Sequence, residues 1–137
     1  MRRTLNPRTP VGGKRLPEQL EVASAEPFAV DVRWRDAVAT VRPRGELDVA
    51  TVETLRVALD GIRGASRLVL DLRGLSFIDS TGLHLLVALH QHAQHEGLQL
   101  SLVAPAAPVD RPIQLCGLHT SLPFVAPLGA VATEPGQ

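Results

Sequence analysis

The sequence predicts a single α/β domain with a mixed β-sheet flanked by helices. Between residues 28 and 125, alternating strand-like segments and apolar repeats of helical spacing follow one another in the order β-β-α-β-α-β-α-β. The length of 137 residues fits one domain with tails. An apolar fraction of 45% is enough for a core and excludes a chain that is disordered throughout.

Two strands are predicted at the start of the domain. Residues 28–34 alternate apolar side chains with polar or small ones, as in a half-buried strand. Val38 and Val41 open a second strand, in which Pro43 indicates a bulge or an exposed side. The segment Gly-Glu-Leu-Asp at residues 45–48 is expected to break this strand.

A helix is predicted next, because apolar residues recur at helical spacing. These residues are Val52, Leu55, Leu59 and Ile62. Asp48 is the predicted N-cap, since its carboxylate can accept hydrogen bonds from the free amides of the first turn. Gly61 and Gly64 mark the end of the helix.

The second half of the domain alternates in the same way. Residues 68–72 are nearly continuously apolar, which is typical of a central strand covered on both faces. A helix is predicted over residues 81–96 and stops at Gly97. The remaining predicted elements are a strand at 98–103, a short helix at 109–115 and an edge strand at 122–125.

Both ends of the chain differ in composition from the domain, which is assigned to residues 27–126. Residues 1–26 combine prolines, glycines and mixed charges without any period, so they predict a disordered tail. Residues 127–137 predict a second flexible tail. The first tail holds five basic residues against three acidic ones, an excess too small to predict an anionic partner.

Composition excludes several classes of function. Fourteen basic residues balance fourteen acidic ones, so no chain-wide basic field exists for direct nucleic-acid binding. No apolar run is long enough for a transmembrane helix and no secretory signal is recognised, so membrane insertion is not expected. A single cysteine, Cys116, cannot form an internal disulfide and is compatible with a cytoplasmic location.

The sequence also lacks the patterns of common catalytic and metal sites. The four histidines of the second helix include no pair at i, i+4, so no metal site is predicted. Ser80 is not in a Gly-x-Ser-x-Gly nucleophile motif, because Ile78 occupies the position of the first glycine. Lys14 is the only lysine and follows no phosphate-binding loop before a helix. Neither enzymatic activity nor a cofactor is therefore expected.

The most informative segment is residues 77–83, where an apolar strand gives way to a helix. One interpretation is helix capping, in which Asp79 or Ser80 satisfies free amides and Gly82 permits close packing. The other is that a hydroxyl is displayed at a helix N-terminus, where free amides and the helix dipole favour an added phosphate. Such a phosphate would change binding without refolding the domain.

These elements resemble the STAS domain, and more narrowly the bacterial anti-sigma-factor antagonists, over residues 28–126. The resemblance rests on the order of elements, on Gly-Glu-Leu-Asp at 45–48 and on Asp-Ser-Thr-Gly-Leu at 79–83. It implies a regulatory protein, a monomer or weak dimer, that binds an anti-sigma factor with serine kinase activity and releases a sigma factor. It further implies that this kinase phosphorylates the serine of the motif and that a serine phosphatase restores binding.

By motif position, the resemblance makes Ser80 the phosphoacceptor and Thr81 a possible minor one. The implied partner-binding residues are Glu46, Leu47, Asp48, Asp79, Ser80, Thr81, Gly82, Leu83 and His84. His84 departs from the family pattern, since many members have a small residue there. This bulky, titratable side chain could alter partner choice, or it could mean that phosphorylation is weak or absent.

Two other functions remain open at the level of sequence. The same fold could serve as a ligand-sensing module or as an accessory subunit of a membrane transporter. A small enzyme using Asp79 and Ser80 is a third hypothesis, although no base stands at a recognisable spacing from them.

Overall fold

The computed structural model of the chain describes residues 27–125. Both predicted tails, residues 1–26 and 127–137, lie outside the described residues, and so does the last residue of the predicted domain. The domain boundaries therefore stay predictions.

Strands and helices alternate along the described residues, and the predicted mixed α/β fold is confirmed. The strands are β1 (Ala29–Arg35), β2 (Val38–Leu47), β3 (Arg67–Asp71), β4 (Leu75–Ile78), β5 (Gln99–Val103) and β6 (Phe124–Val125). The helices are α1 (Val52–Asp60), α2 (Ser80–Glu96), α3 (Arg111–Leu115) and α4 (Leu118–Ser121). A 3-10 turn (Leu72–Gly74) separates β3 from β4.

The long strand β2 organises the sheet. The strand order is β1-β2-β3-β5-β6, and β4 also pairs with β2. The β1–β2 pair is antiparallel, whereas the other pairs are parallel. Because β2 pairs with β3 through residues 38–41 and with β4 through residues 45–47, the ends of β2 and β4 lie side by side. This register brings the polar segments that follow the two strands together.

One prediction about β2 was wrong, and the predicted bulge lies two residues beyond Pro43. Residues 45–47 do not break the strand but pair with β4, a four-residue strand that the periodicity did not separate from β3. Pro43 is buried within β2 and does not mark an exposed side. It lies between the stretches that pair with β3 and β4, where a residue without an amide hydrogen is tolerated. The irregularity in pairing falls instead between Gly45 and Glu46.

The core lies between one face of the sheet and helices α1 and α2. Alternate residues of β2, among them Ala39, Val41 and Leu47, are fully buried together with Leu55 of α1 and Leu86 of α2. The opposite face of β2 is more exposed. This pattern of one packed face explains the strict alternation of the strand.

The helix ends follow from local residues. Helix α2 begins at Ser80, one residue before the prediction, and ends where Gly97 adopts the predicted left-handed conformation with a φ of 71°. Helix α3 is shorter than the predicted 109–115, and the prediction missed α4, which has only four residues. Such short helices have too few turns to show a periodic apolar pattern.

Candidate functional site

The junction between β4 and α2 is joined to the end of β2. Leu47 and Ile78 are partners in the parallel pair, and the Asp79 amide donates to the Leu47 carbonyl oxygen at 3.2 Å. This hydrogen bond places the first turn of α2 beside the loop that follows β2. The Gly-Glu-Leu-Asp motif at 45–48 and the Asp-Ser-Thr-Gly-Leu motif at 79–83 are therefore neighbours in space.

Asp79 is the N-cap of α2, which confirms the capping interpretation for this residue. Its backbone is extended, and its carboxylate oxygen Oδ1 accepts a hydrogen bond from the Gly82 amide at 3.1 Å. Its carbonyl oxygen accepts from the Leu83 amide at 3.0 Å. Ser80 is then the first helical residue, and it is exposed. Asp79 thus caps the helix, and the adjacent Ser80 carries the hydroxyl on the surface.

Gly82 allows the first turn of α2 to lie close to the two strands. A Cβ atom at this position would lie 2.7 Å from Cγ1 of Ile78 and 3.0 Å from Cγ of Leu47. Real Cβ atoms essentially never come within 3.0 Å of another atom, so a larger residue requires the helix turn or the packed Ile78 and Leu47 side chains to shift. The glycine therefore fixes the height of Ser80 above the sheet.

The loop after β2 is folded by Asp48, although not as predicted. The Asp48 carboxylate accepts from the amides of Ala50 at 2.9 Å and Thr51 at 3.2 Å. The N-cap of α1 is Thr51, so the prediction that Asp48 caps this helix was wrong. Asp48 lies three residues too early and closes the preceding turn instead, while the Thr51 hydroxyl donates to the Glu46 carbonyl oxygen at 2.6 Å.

The nine predicted partner-binding residues differ in accessibility. Glu46, Ser80 and His84 are exposed, whereas Asp48, Asp79 and Thr81 are half-buried. The remaining residues, Leu47, Gly82 and Leu83, are buried in the packing between α2 and the sheet. The structure thus brings the predicted residues together. The buried residues support the exposed ones through packing and do not form part of the accessible surface.

The match to a family model covers most of this fold. The model of the STAS domain matches residues 29–130, which include every described element. The chain belongs to the STAS domain family. The family resemblance that the sequence suggested is therefore confirmed.

Relatives of this STAS domain carry a common description. An anti-sigma F factor antagonist from Paenibacillus polymyxa is 28% identical over 98 residues, which are 69% of this chain and 84% of the relative. The crystal structure of an anti-sigma factor antagonist from Mycobacterium paratuberculosis matches 78% of this chain and 92% of its own, at 28% identity and a TM-score of 0.68. The phosphorylated form of the Bacillus cell fate determinant SpoIIAA shares the fold at 19% identity and a TM-score of 0.59, over 80% of this chain and all of its own.

An apolar groove lies beside the β4–α2 junction of the STAS domain. Its cavity measures about 330 Å³ and is lined by Ser76, Phe77, Ile78, Pro108, Val109, Arg111, Pro112 and Leu115. Phe77 is 46% exposed and Leu115 is 74% exposed, so the groove presents two large apolar side chains to a partner. The sequence pattern does not reveal this groove, because one wall comes from β4 and the other from the segment around α3, about 30 residues later.

A buried ion cluster holds the 3-10 turn against β2. Asp71 is 3% exposed, and its carboxylate oxygen Oδ2 lies 2.8 Å from Arg42 and 2.9 Å from Arg73. Burial alone would raise the pKa of Asp71, but hydrogen bonds from Arg73 and Arg42 outweigh burial and hold the pKa at about 2. The cluster ties β3 to β2 immediately before β4, so it supports the register on which the site depends.

Asp71 is expected to make stability depend on acid pH. Its folded-state pKa of about 2 lies below the ordinary value of 3.8, so its stabilising contribution is present above pH 3.8 and is lost as the pH falls towards 2. The shift corresponds to about 2 kcal/mol. We expect Asp71→Asn to lower the free energy of unfolding near neutral pH by about this amount, because the variant removes the charge that Arg73 and Arg42 stabilise.

Urea denaturation of wild type and variant at several pH values measures this effect. The difference between the two proteins should shrink as the pH falls through the window from 3.8 to about 2. Asp60→Asn is the matched control, because Asp60 pairs with Arg56 on the exposed face of α1 and should contribute little. An Asp71→Asn variant as stable as wild type at neutral pH would contradict the prediction.

Two kinds of feature are absent from the part of the chain that the structure describes. Between residues 27 and 125, no three His, Cys, Asp or Glu side chains come close enough to hold a metal ion. No helix in the same part of the chain is long and apolar enough to cross a bilayer.

Proposed function

We propose that this STAS domain is an anti-sigma-factor antagonist that is switched by phosphorylation of Ser80. In this proposal, the unmodified domain binds an anti-sigma factor that is also a serine kinase, and binding releases a sigma factor in the cytoplasm. The kinase phosphorylates Ser80, the complex dissociates, and a serine phosphatase restores the binding form. The names of the relatives from Paenibacillus polymyxa and Mycobacterium paratuberculosis support the class of partner.

One observation carries the proposal: Ser80 is exposed as the first residue of α2, while Asp79 caps that helix from the inside. The hydroxyl is therefore accessible to a kinase without any unfolding of the junction. The amides of Ser80 and Thr81 belong to the first turn, where helical amides have no carbonyl partner within the helix. These donors and the positive end of the helix dipole favour an anion at this position.

The switch acts through the size of the phosphate and the cost of desolvating its charge. A phosphoserine carries about −1.5 to −2 charges near neutral pH. Ser80 already adjoins Asp79, and the Glu46 and Asp48 carboxylates lie on the neighbouring β2 end and loop. We infer that the partner presents a complementary basic patch to these residues. A phosphate on Ser80 adds bulk at the centre of the contact and a double charge that binding would have to desolvate, so it favours release although the partner's patch is basic.

The apolar groove supplies the other part of the contact. Exposed Phe77 directly precedes Ile78 and lies opposite Glu46 in the β2–β4 pair, so the groove is continuous with the acidic surface. Protein interfaces combine a desolvated apolar centre with a polar rim. We infer that an apolar side chain of the anti-sigma factor occupies the groove between Phe77 and Leu115.

Phosphorylation by the cognate kinase tests this function. We expect incubation of the full chain with the anti-sigma factor and ATP to add one phosphate, which mass spectrometry should locate on Ser80. Ser80→Ala should abolish the modification, whereas Thr81→Ala, which removes the neighbouring hydroxyl, should preserve it. Phosphate located on any other residue would contradict the proposed switch.

A further inference from the structure

His84 and Ser80 share the outer face of α2. They are four residues apart, which is slightly more than one helical turn, so their side chains lie next to each other along the helix surface. Both are exposed, whereas the buried residues of α2 point to the opposite side. Those buried residues are Gly82, Leu83, Leu86, Leu89 and Ala93.

His84 is the only titratable residue of α2 between Ser80 and His90. The strands β4 and β5 that contact this helix contain no charged residue. On α1, which also contacts α2, the charged residues pair with one another. These residues are Glu53, Arg56 and Asp60.

The remaining charged groups near the junction are three carboxylates and one arginine. The Asp79 carboxylate accepts from the Gly82 amide, and the Asp48 carboxylate accepts from the amides of its own loop. Glu46 is exposed at the end of β2. Arg111 lines the apolar groove together with Ile78, two residues before Ser80, so it is a second cation to compare with His84.

We propose that His84 holds the phosphate of the phosphorylated protein through an ion pair along the surface of α2. This inference rests on the proposed function, because it concerns the regulation of the same serine. The pair exists only after modification, so His84 stabilises the released form and not the binding form. His84 thereby lengthens the lifetime of the phosphorylated state.

The expected effect of the ion pair is a slower loss of the phosphate. A phosphoserine carries its second charge above about pH 6, and this dianion is the form that the pair stabilises. Phosphorylated wild type should therefore resist dephosphorylation more than the phosphorylated His84→Gln variant.

The test uses the full chain with phosphoserine incorporated at position 80 during translation, so no kinase is required. Phosphorus-31 NMR then follows the second ionisation of the phosphate as a function of pH. An adjacent imidazolium favours the dianion, so the midpoint in the wild-type background should lie about half a pH unit below that of the His84→Gln variant. High salt should reduce the difference, because the pair is exposed.

His95→Gln is the matched control, since His95 is an exposed histidine near the other end of the same helix. Its midpoint should equal that of the wild-type background. An unchanged midpoint in His84→Gln would overturn the proposal, and so would a shift removed by Arg111→Gln and not by His84→Gln. Circular dichroism verifies that each variant is folded.

The NMR titration can fail independently of the kinase assay that tests the proposed function. A kinase that ignores Ser80 would refute the switch but would leave the NMR titration readable. Conversely, Ser80 could be the phosphoacceptor while the titration shows no influence of His84, and only the ion pair would then be refuted.

Discussion

Ser80→Asp is expected to weaken binding of the anti-sigma factor by a factor on the order of 100, which corresponds to a few kcal/mol. The variant places a permanent carboxylate, which binding would have to desolvate, at the first position of α2 next to Asp79 and at the centre of the proposed contact. Because Asp79 still caps the helix, we expect the fold and its stability to remain close to wild type. Isothermal titration calorimetry with the purified anti-sigma factor measures the affinity.

Two further variants separate charge at this position from other effects. Ser80→Ala removes the hydroxyl without adding charge, so we expect it to bind within a few-fold of wild type. Ser66→Asp adds the same charge at an exposed serine before β3, at the opposite end of that strand from the 3-10 turn, and it should leave the affinity unchanged. Equal affinities of wild type and Ser80→Asp would show that this position does not control the complex.

The central part of this site could be predicted because its chemistry is local in sequence. An N-cap, the first helical residue and a closely packed glycine all lie within the four residues 79–82, and their roles depend on the helix that they begin. The exposure of Ser80 follows directly from its position, since Asp79 takes the inward capping role. The same local logic located Gly97 at the end of α2.

The rest of the site depends on contacts between distant segments, which periodicity does not report. The pairing of β2 with β4 joins residues about 30 positions apart. Because of this pairing, residues 45–47 continue the strand that the sequence pattern predicted them to break. The groove needs both Phe77 and Leu115, which belong to different elements. From the sequence alone, Asp71 is a charged residue that interrupts an apolar strand. Its ion pair with Arg42, which explains it, is visible only in the structure.

Gly82 provides the sharpest test of how the site is built. A Gly-to-Ala change inside an exposed helix ordinarily stabilises a protein by roughly 0.5–1 kcal/mol, because alanine has the higher helix propensity. At this position, however, a Cβ atom would lie 2.7 Å from Ile78 and 3.0 Å from Leu47, which are both buried. We therefore expect Gly82→Ala to destabilise the domain, and Gly82→Val to do so by about 2–3 kcal/mol.

Gly61→Ala is the matched control at the end of α1. The nearest heavy atom to its Cβ would be the Ala58 carbonyl oxygen at 3.5 Å, and its φ of −81° suits any residue. Urea denaturation should find Gly61→Ala as stable as wild type or slightly more so, and the opposite sign for Gly82→Ala. A Gly82→Ala variant at least as stable as wild type would contradict the packing argument.

Gly82→Val should also weaken binding of the anti-sigma factor, although Gly82 is buried. Where the first turn of α2 moves away from Leu47 and Ile78 to relieve the clash, this movement carries Ser80 with it. Because protein contacts lose complementarity when an anchor shifts, we expect Gly82→Val to lower the affinity for the anti-sigma factor even at temperatures where the variant is fully folded. Unchanged affinity in a folded Gly82→Val variant would mean that the position of this turn is not what the partner recognises.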